Sequence, residues 1–514
     1  MNVEEKNHTL RLLVRGAGIT LIGILLIDLF AFLYKLMIAR YLGPGAYGQL
    51  TIGITILTLS TAFTMVGLPA GLSRFISYYF VQKKFSETKA VVIVGLLTVL
   101  PISLLFSFMI QLSAPYIAAH VFHNPPVTKI LRIFGWIIPL YALVQLGKTI
   151  LQGFKRIGHR IIVESFGEHA LRFVLAAAVV LIGKGIYGLA IAYLAGMVFA
   201  LFIALYLVQK VMKKVKQVKI FPLTVVAKEL FIFSLPLAFS SIVFSVMKWS
   251  DTLMLGYFKD AVQVGLYNVA LPLSTILAMS YSAFRNLTLP LMTEFYAKKK
   301  IEEVRTSFMA ISRWIFLTTF PVFLLMILFP GEIIAIFFGN QYRTAGLPLI
   351  ILTVGVFINA ATGLVAETLQ TFGRTKTIFW CALFGTVLNV ILNYFFIPIW
   401  GMAGAAIATS TSISLVNIIM LYFVQQLLHM RFEYKYYIKY LTASIVPFIV
   451  VYVILSRLRP LSFVSTIVGL LVFLSLNAIL LFVLKSFTAE DIMIVNTIEN
   501  KFKIPLSWLK KWMH

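Results

Sequence analysis

The sequence is poor in charge and almost free of sulfur chemistry. Of its 514 residues only 12% are charged, 60% are hydrophobic, and mean hydropathy is +0.95. A soluble domain is about a quarter charged, because polar side chains must cover its surface. This chain cannot be covered in that way, so its solvent is lipid. One cysteine is present, Cys381, inside an apolar run. It excludes a disulfide framework or a CxxC metal site within the chain. No long polar segment is available for a separate soluble domain. No GxxxxGK[ST] occurs, so nothing suggests that the chain binds and hydrolyses ATP.

What the sequence does contain is a succession of apolar runs. A membrane crossing takes about 20 mostly apolar residues, and only helices or closed barrels satisfy their backbone in lipid. The runs are too long and too uniform for barrel strands. The pattern predicts an all-α, polytopic membrane protein of about fourteen spans. They lie near 17–38, 48–70, 90–112, 129–152, 161–183, 186–209, 230–256, 263–288, 308–329, 345–370, 377–398, 402–427, 437–456 and 462–485. The first carries Asp28 and Lys35 and lacks a small-residue cleavage pattern, so it reads as a span and not as a cleaved signal peptide. At 38–50, IARYLGPGAYGQL stops one run and restarts the next. Pro44 cannot continue a helix and Gly43 and Gly45 supply a turn, which predicts a hairpin between spans one and two.

The net charge of +26 is unevenly placed. Taking the N-terminus and every second loop as one side, that side holds 31 of the 44 basic residues and the other side eight. This places both termini in the cytoplasm and supports an even number of spans. The basic excess is thus topological, and no nucleic-acid motif accompanies it. The C-terminal IENKFKIPLSWLKKWMH reads either as a segment lying on anionic headgroups or as a disordered tail.

The sequence repeats itself. Gln152, Phe154, Arg156, Phe166 and Gly167 match Gln370, Phe372, Arg374, Phe384 and Gly385 at an offset of 218. GIYGLAIA matches GMAGAAIA at 216, Tyr41 falls on Tyr257 at 216, and GAYGQL at 45–50 resembles GLYNVA at 265–270. Six spans separate the copies, so they run parallel and are related by an axis along the membrane normal. The expected organisation is an N-lobe at 1–215, a C-lobe at 216–430, two added spans at 431–486 and a cytoplasmic interfacial segment at 487–514. Two facing six-helix lobes would form a V around a central cavity, the geometry of alternating access.

The chain resembles the oligosaccharide flippase (Wzx-like) branch of the MOP superfamily, which also holds the MATE drug exporters and the lipid II flippases. The resemblance rests on ARYLGPGAYG at 39–48, VGLPAGLSRFIS at 66–77, SDTLMLGYF with VGLYNVALPL at 250–273, and LNVILNYFFIPIWGMAGAAIAT at 388–409. It implies a MATE-like fold, a cationic central cavity, and passage of a polyprenyl-phosphate-linked glycan from the cytoplasmic to the outer leaflet of the cell membrane. It also implies coupling to H⁺ or Na⁺ in many relatives, and no other cofactor. The partners are then a lipid-linked oligosaccharide, the bilayer and other glycan-assembly enzymes.

Ionisable groups inside spans are expensive, so each is a functional candidate. Lys35 in span one falls on Asp251 in span seven at an offset of 216, and the two are expected to pair in one state of the cycle. Static bridges within each span, Asp28–Lys35 or Lys248–Asp251, are the competing reading. Arg285 has no acid near it on its own helix face, so its planar fork is a candidate for gripping phosphate. Snorkelling, or a partner from another helix, is the alternative. Lys148 is a similar cation nearer the cytoplasmic end. In span five, Glu168 and Arg172 read as an i,i+4 pair, leaving Glu164 and His169 as a proton-coupling site or part of a structural ladder. Glu367 stands by itself in GLVAETLQ as a second coupling candidate. Asn389 and Asn393 read as hydrogen-bonding groups for sugar or as packing glue. Pro290, just after Arg285, is a candidate bend.

An enzyme acting on lipid-linked sugars would need acids on an outer loop, and only Asp260 and Glu332 are there. A cation-coupled multidrug antiporter would need carboxylates dominating its cavity. Five acids and five bases lie inside the spans, a balance that leaves the antiporter open. A scaffold role in glycan assembly without transport is the third reading.

Overall fold

The computed structural model describes residues 3–216, 218–430, 434–457 and 463–483. The tail expected at 487–514 lies outside the described residues. Every element described is helical: α1 (Val3–Thr64), α2 (Leu68–Val81), α3 (Phe85–Tyr116), α4 (Val127–Gly153), α5 (Ile157–Ile162), α6 (Leu171–Ile182), α7 (Gly185–Val211), α8 (Lys213–Lys216), α9 (Leu223–Phe258) and α10 (Ala261–Ser274). They continue with α11 (Ala278–Ala297), α12 (Ile301–Leu328), α13 (Pro330–Phe338), α14 (Gly346–Ala361), α15 (Val365–Thr371), α16 (Thr375–Trp400), α17 (Met402–Leu428), α18 (Tyr434–Arg457) and α19 (Phe463–Val483). The chain divides into two compact units, Met1–Asn268 and Val269–His514.

Ten of the described helices are long and apolar enough to cross a membrane. Two more pairs qualify together across bends of 47° and 48°: Leu25–Met65 with Leu68–Val81, and Ala261–Leu277 with Tyr281–Ala297. The count is ten to twelve by length and composition, against the fourteen expected. Part of the difference is α1. Leu25–Met65 would be about 60 Å long as a straight helix, twice the hydrocarbon thickness, and Gly43 breaks it with φ 75° and ψ 171°.

The neighbours of α1 show that it turns back there. The Gly23 carbonyl accepts from Ser165 near the start of the fifth span, and the Tyr41 hydroxyl accepts from the Gly185 N–H at that span's far end. Gln49 then donates to Asn124, while Met65 has returned to the end where Gln152 and Arg160 lie. The LGPG hairpin is therefore real. Its positive φ requires a residue that pays no Cβ penalty.

The second bend corrects an expectation. Pro290 lies inside α11 without breaking it. The bend falls at 277–281, after the 3₁₀ turn Thr275–Leu277. It corresponds to the first bend, at 65–68, a few residues short of one repeat offset away. Helix limits recur in the same way: α2 and α11 end at Val81 and Ala297, and α3 and α12 begin at Phe85 and Ile301. Lys83 and Lys299, in the turns between them, both have φ of 59°.

GAYG and GLYN meet each other. A Cβ on Gly48 would strike the Ala261 carbonyl, and one on Gly265 would strike the Pro44 carbonyl. Small residues let two membrane helices approach to backbone contact, where dispersion and Cα–H···O contacts hold them. In the second unit, α18 and α19 pack on α12 through two apolar clusters: Phe316, Phe320, Tyr440 and Ala443, and Leu325, Phe329, Val451, Leu455 and Phe473.

Candidate functional site

Three helices of the first unit turn a polar stripe towards one another. On α4 the stripe is Tyr141, Gln145, Lys148, Thr149 and Gln152, with the 3–4 residue spacing of a single helix face. On the second half of α1 it is Thr58 and Thr61, and on α9 it is Ser245, Lys248 and Trp249. With Arg160 of α5 they line a cavity of about 400 Å³. Three bases line it and no carboxylate does.

The acids stand behind the wall. Lys148 is 2.7 Å from Glu168 and 3.5 Å from Glu164, and Arg160 is 3.6 Å from Glu164. Lys148 and Glu168 are only 5% and 3% exposed. Arg160 also donates to Gln152 at 2.6 Å. Burying these charges is tolerable because each has a counter-ion within hydrogen-bonding reach or close to it.

This corrects the reading of span five. Glu168 takes Lys148 as its partner, and Glu164 is not left over. Val163–Ala170 is a π-helix, in which the i,i+5 register replaces i,i+4. The His169 ring nitrogen meets the Glu164 carbonyl, five residues back, at 2.8 Å. Arg172 lies between the rings of Tyr34 and Tyr193, at 4.5 and 4.6 Å from their centroids.

No Asp28–Lys35 or Lys248–Asp251 ion pair is present among the described residues. Lys35 is exposed and lies in electrostatic range of Lys248 and Arg172; Asp28 is exposed with Glu164 as its charged neighbour. Lys248 is exposed, 5.3 Å from the centroid of the Trp249 ring. Asp251 is buried and accepts from the Tyr267 hydroxyl at 2.5 Å.

In the second unit, Arg285 and Glu367 are not solitary. Arg285 Nε is 2.9 Å from Glu367, which also accepts from Tyr281 at 2.8 Å. Asn389 and Asn393 are buried and committed to packing. Asn393 donates to Asn389, and Asn389 donates to Thr409 of α17, both at 3.0 Å. Their spacing placed them on one face, but that face is the α16–α17 contact.

Sequence reasoning missed Trp249, Arg160 and the glutamines of α4. The usable signal was the recurrence of polar residues at 141, 145, 148 and 152 within an otherwise apolar span. Trp249 had no such signal, being one of seven tryptophans in an aromatic-rich chain.

Comparison with known proteins agrees with this architecture. The polysaccharide biosynthesis protein family matches residues 13–296, more than half of the chain, and the MatE family matches residues 236–395. The chain is 25% identical over 302 residues to "Probable low-salt glycan biosynthesis flippase Agl15" of Haloferax volcanii, covering 58% of this chain and 61% of that protein. That match spans less than two thirds of that relative's length. It is 24% identical over 387 residues to "Putative O-antigen transporter" of Shigella flexneri, covering 74% of this chain and 89% of that one. The solved structure "Lipid II flippase MurJ, inward closed conformation" shares the fold, with a TM-score of 0.66 at 15% identity over 90% of this chain and 98% of that one. The protein is a multi-pass membrane protein, and the chain belongs to the polysaccharide biosynthesis protein family.

Proposed function

We propose that the protein is a flippase. It carries a polyprenyl-(di)phosphate-linked oligosaccharide from the cytoplasmic to the outer leaflet of the plasma membrane, for cell-surface glycan synthesis. The observation that carries this reading is a cavity whose wall presents three bases and no carboxylate, with Lys248 held in no ion pair among the described residues. A phosphate-bearing headgroup needs fixed positive charge to enter hydrocarbon, and a site for cationic drugs would need the reverse. The names of the Haloferax and Shigella relatives support the same direction.

In this reading the lobes 1–215 and 216–430 alternate in access, both termini are cytoplasmic, and no covalent chemistry is performed. Lys35, Lys148, Lys248 and Arg285 serve the substrate; Asp28, Asp251, Glu164 and Glu367 serve H⁺ or Na⁺ coupling or gating. Other glycan-assembly enzymes act before and after it.

The test is sidedness in proteoliposomes. Lipid-linked oligosaccharide loaded on the inside becomes accessible to an outside glycan probe with wild-type protein, and much more slowly with Lys248→Ala. If a panel of lipid-linked glycans stays inside while cationic drugs move under an ion gradient, the antiporter reading replaces this one.

A further inference from the structure

Lys248 and Trp249 are adjacent in the chain and together on the cavity wall. The ammonium lies over the indole, 5.3 Å from the ring centroid, so a cation–π contact holds a positive charge and an aromatic face together. The hydroxyls around them have already used their hydrogens. Thr58 donates to the Ile54 carbonyl at 2.9 Å, Thr61 to that of Leu57 at 2.8 Å, and Ser245 to that of Ser241 at 2.8 Å. Their oxygens remain as acceptors, so an occupant must bring its own donors.

We propose that Trp249 is the platform on which the sugar next to the lipid phosphate stacks, with Lys248 holding that phosphate. This rests on the flippase reading and adds to it the part of the substrate that is recognised. A pyranose has one face of C–H bonds, suited to an aromatic ring, and a rim of hydroxyl donors suited to Thr58, Thr61 and Ser245. In the complex the sugar takes the indole face, and the exposed Lys248 side chain, whose ammonium lies over the ring, turns to the phosphate on the anomeric oxygen. At about 400 Å³ the cavity is at the small end of ligand sites. It has room for a sugar phosphate and not for a whole oligosaccharide. The protein therefore reads the sugar at the lipid end and leaves the outer sugars unread.

The test is binding to the full-length protein in nanodiscs. The probes are farnesyl diphosphate and the same lipid bearing glucose, galactose or N-acetylglucosamine. At least one sugar-bearing probe binds wild type about tenfold more tightly than farnesyl diphosphate, the upper range of an aromatic contact. Trp249→Leu abolishes that difference while farnesyl diphosphate still binds, whereas Trp249→Phe keeps part of it. Lys248→Ala weakens every probe, the sugar-free lipid included. The proposal is overturned if Trp249→Leu weakens all probes equally, or if wild type shows no sugar preference while binding farnesyl diphosphate. Binding of no lipid diphosphate by wild type would remove the flippase reading as well, which separates the two failures.

Discussion

Arg285 Nε and a Glu367 carboxylate oxygen are 2.9 Å apart, joining α11 to the short helix α15. The pair is asymmetric, since the Arg285 side chain is 56% exposed and that of Glu367 only 4%. Glu367 therefore depends on Arg285 and Tyr281 for its solvation, while Arg285 retains access to water or to another anion.

That asymmetry predicts unequal mutants. Arg285→Ala leaves a buried carboxylate with one hydroxyl partner and lowers stability by about 2–3 kcal/mol, below the range for a fully buried pair. Glu367→Ala costs less, because Arg285 can hydrate. The double variant recovers part of the loss. Thermal unfolding of the four proteins in one detergent gives the coupling, and strictly additive losses would show that the pair contributes nothing.

The Lys148 network predicts a similar hierarchy. Lys148→Ala strands Glu168, which is 3% exposed, and destabilises by about 3 kcal/mol. Glu164, whose side chain is 24% exposed, tolerates Gln with a loss of about 1 kcal/mol or less. Equal losses at the two sites would mean that burial does not govern this cluster. The readout is again the unfolding midpoint.

Gly48 and Gly45 are three residues apart and should behave differently. A Cβ at Gly48 collides with the Ala261 backbone, whereas one at Gly45 meets only a Val262 methyl at 3.5 Å. Gly48→Ala costs about 1–3 kcal/mol, the range for overpacking, and Gly45→Ala is close to neutral. Yield of monodisperse protein in size-exclusion chromatography, followed by thermal unfolding, distinguishes them.

Orientation can be checked chemically. In a Cys381→Ala background, cysteine at Lys184 is labelled by an impermeant maleimide added to intact cells. Cysteine at Lys299 is labelled only after permeabilisation. The reverse pattern would invert the topology read from the basic loops.

Exchanging the charges of Lys35 and Asp251 tests their proposed alternation. Lys35→Asp and Asp251→Lys each abolish transport, and the double exchange restores it in the sidedness assay. Tyr267 now holds Asp251, so Tyr267→Phe should shift activity without abolishing it. No rescue by the double exchange would dissolve the pairing.

The sequence by itself determined the helices, their turns, the bias of the basic loops and the internal repeat. Each is encoded locally or by simple recurrence. Apolar run length sets a span, Gly-Pro sets the break at 43–44, and like turns recur at Lys83 and Lys299. The partners of the charges were decided only by tertiary structure. A helix brings together residues three or four apart and says nothing about which neighbouring helix its polar face will meet. Arg285 found Glu367 on another element, Lys148 found Glu168 across the α4–π-helix contact, and Asn389 found Thr409 on α17. Glu168 and Arg172 remain electrostatic neighbours, but it is Lys148 of another helix that stands 2.7 Å from Glu168. The cavity wall has the same origin: the recurrence of polar residues on α4 is legible within its own span, and packing alone made it face α1 and α9 across a common space.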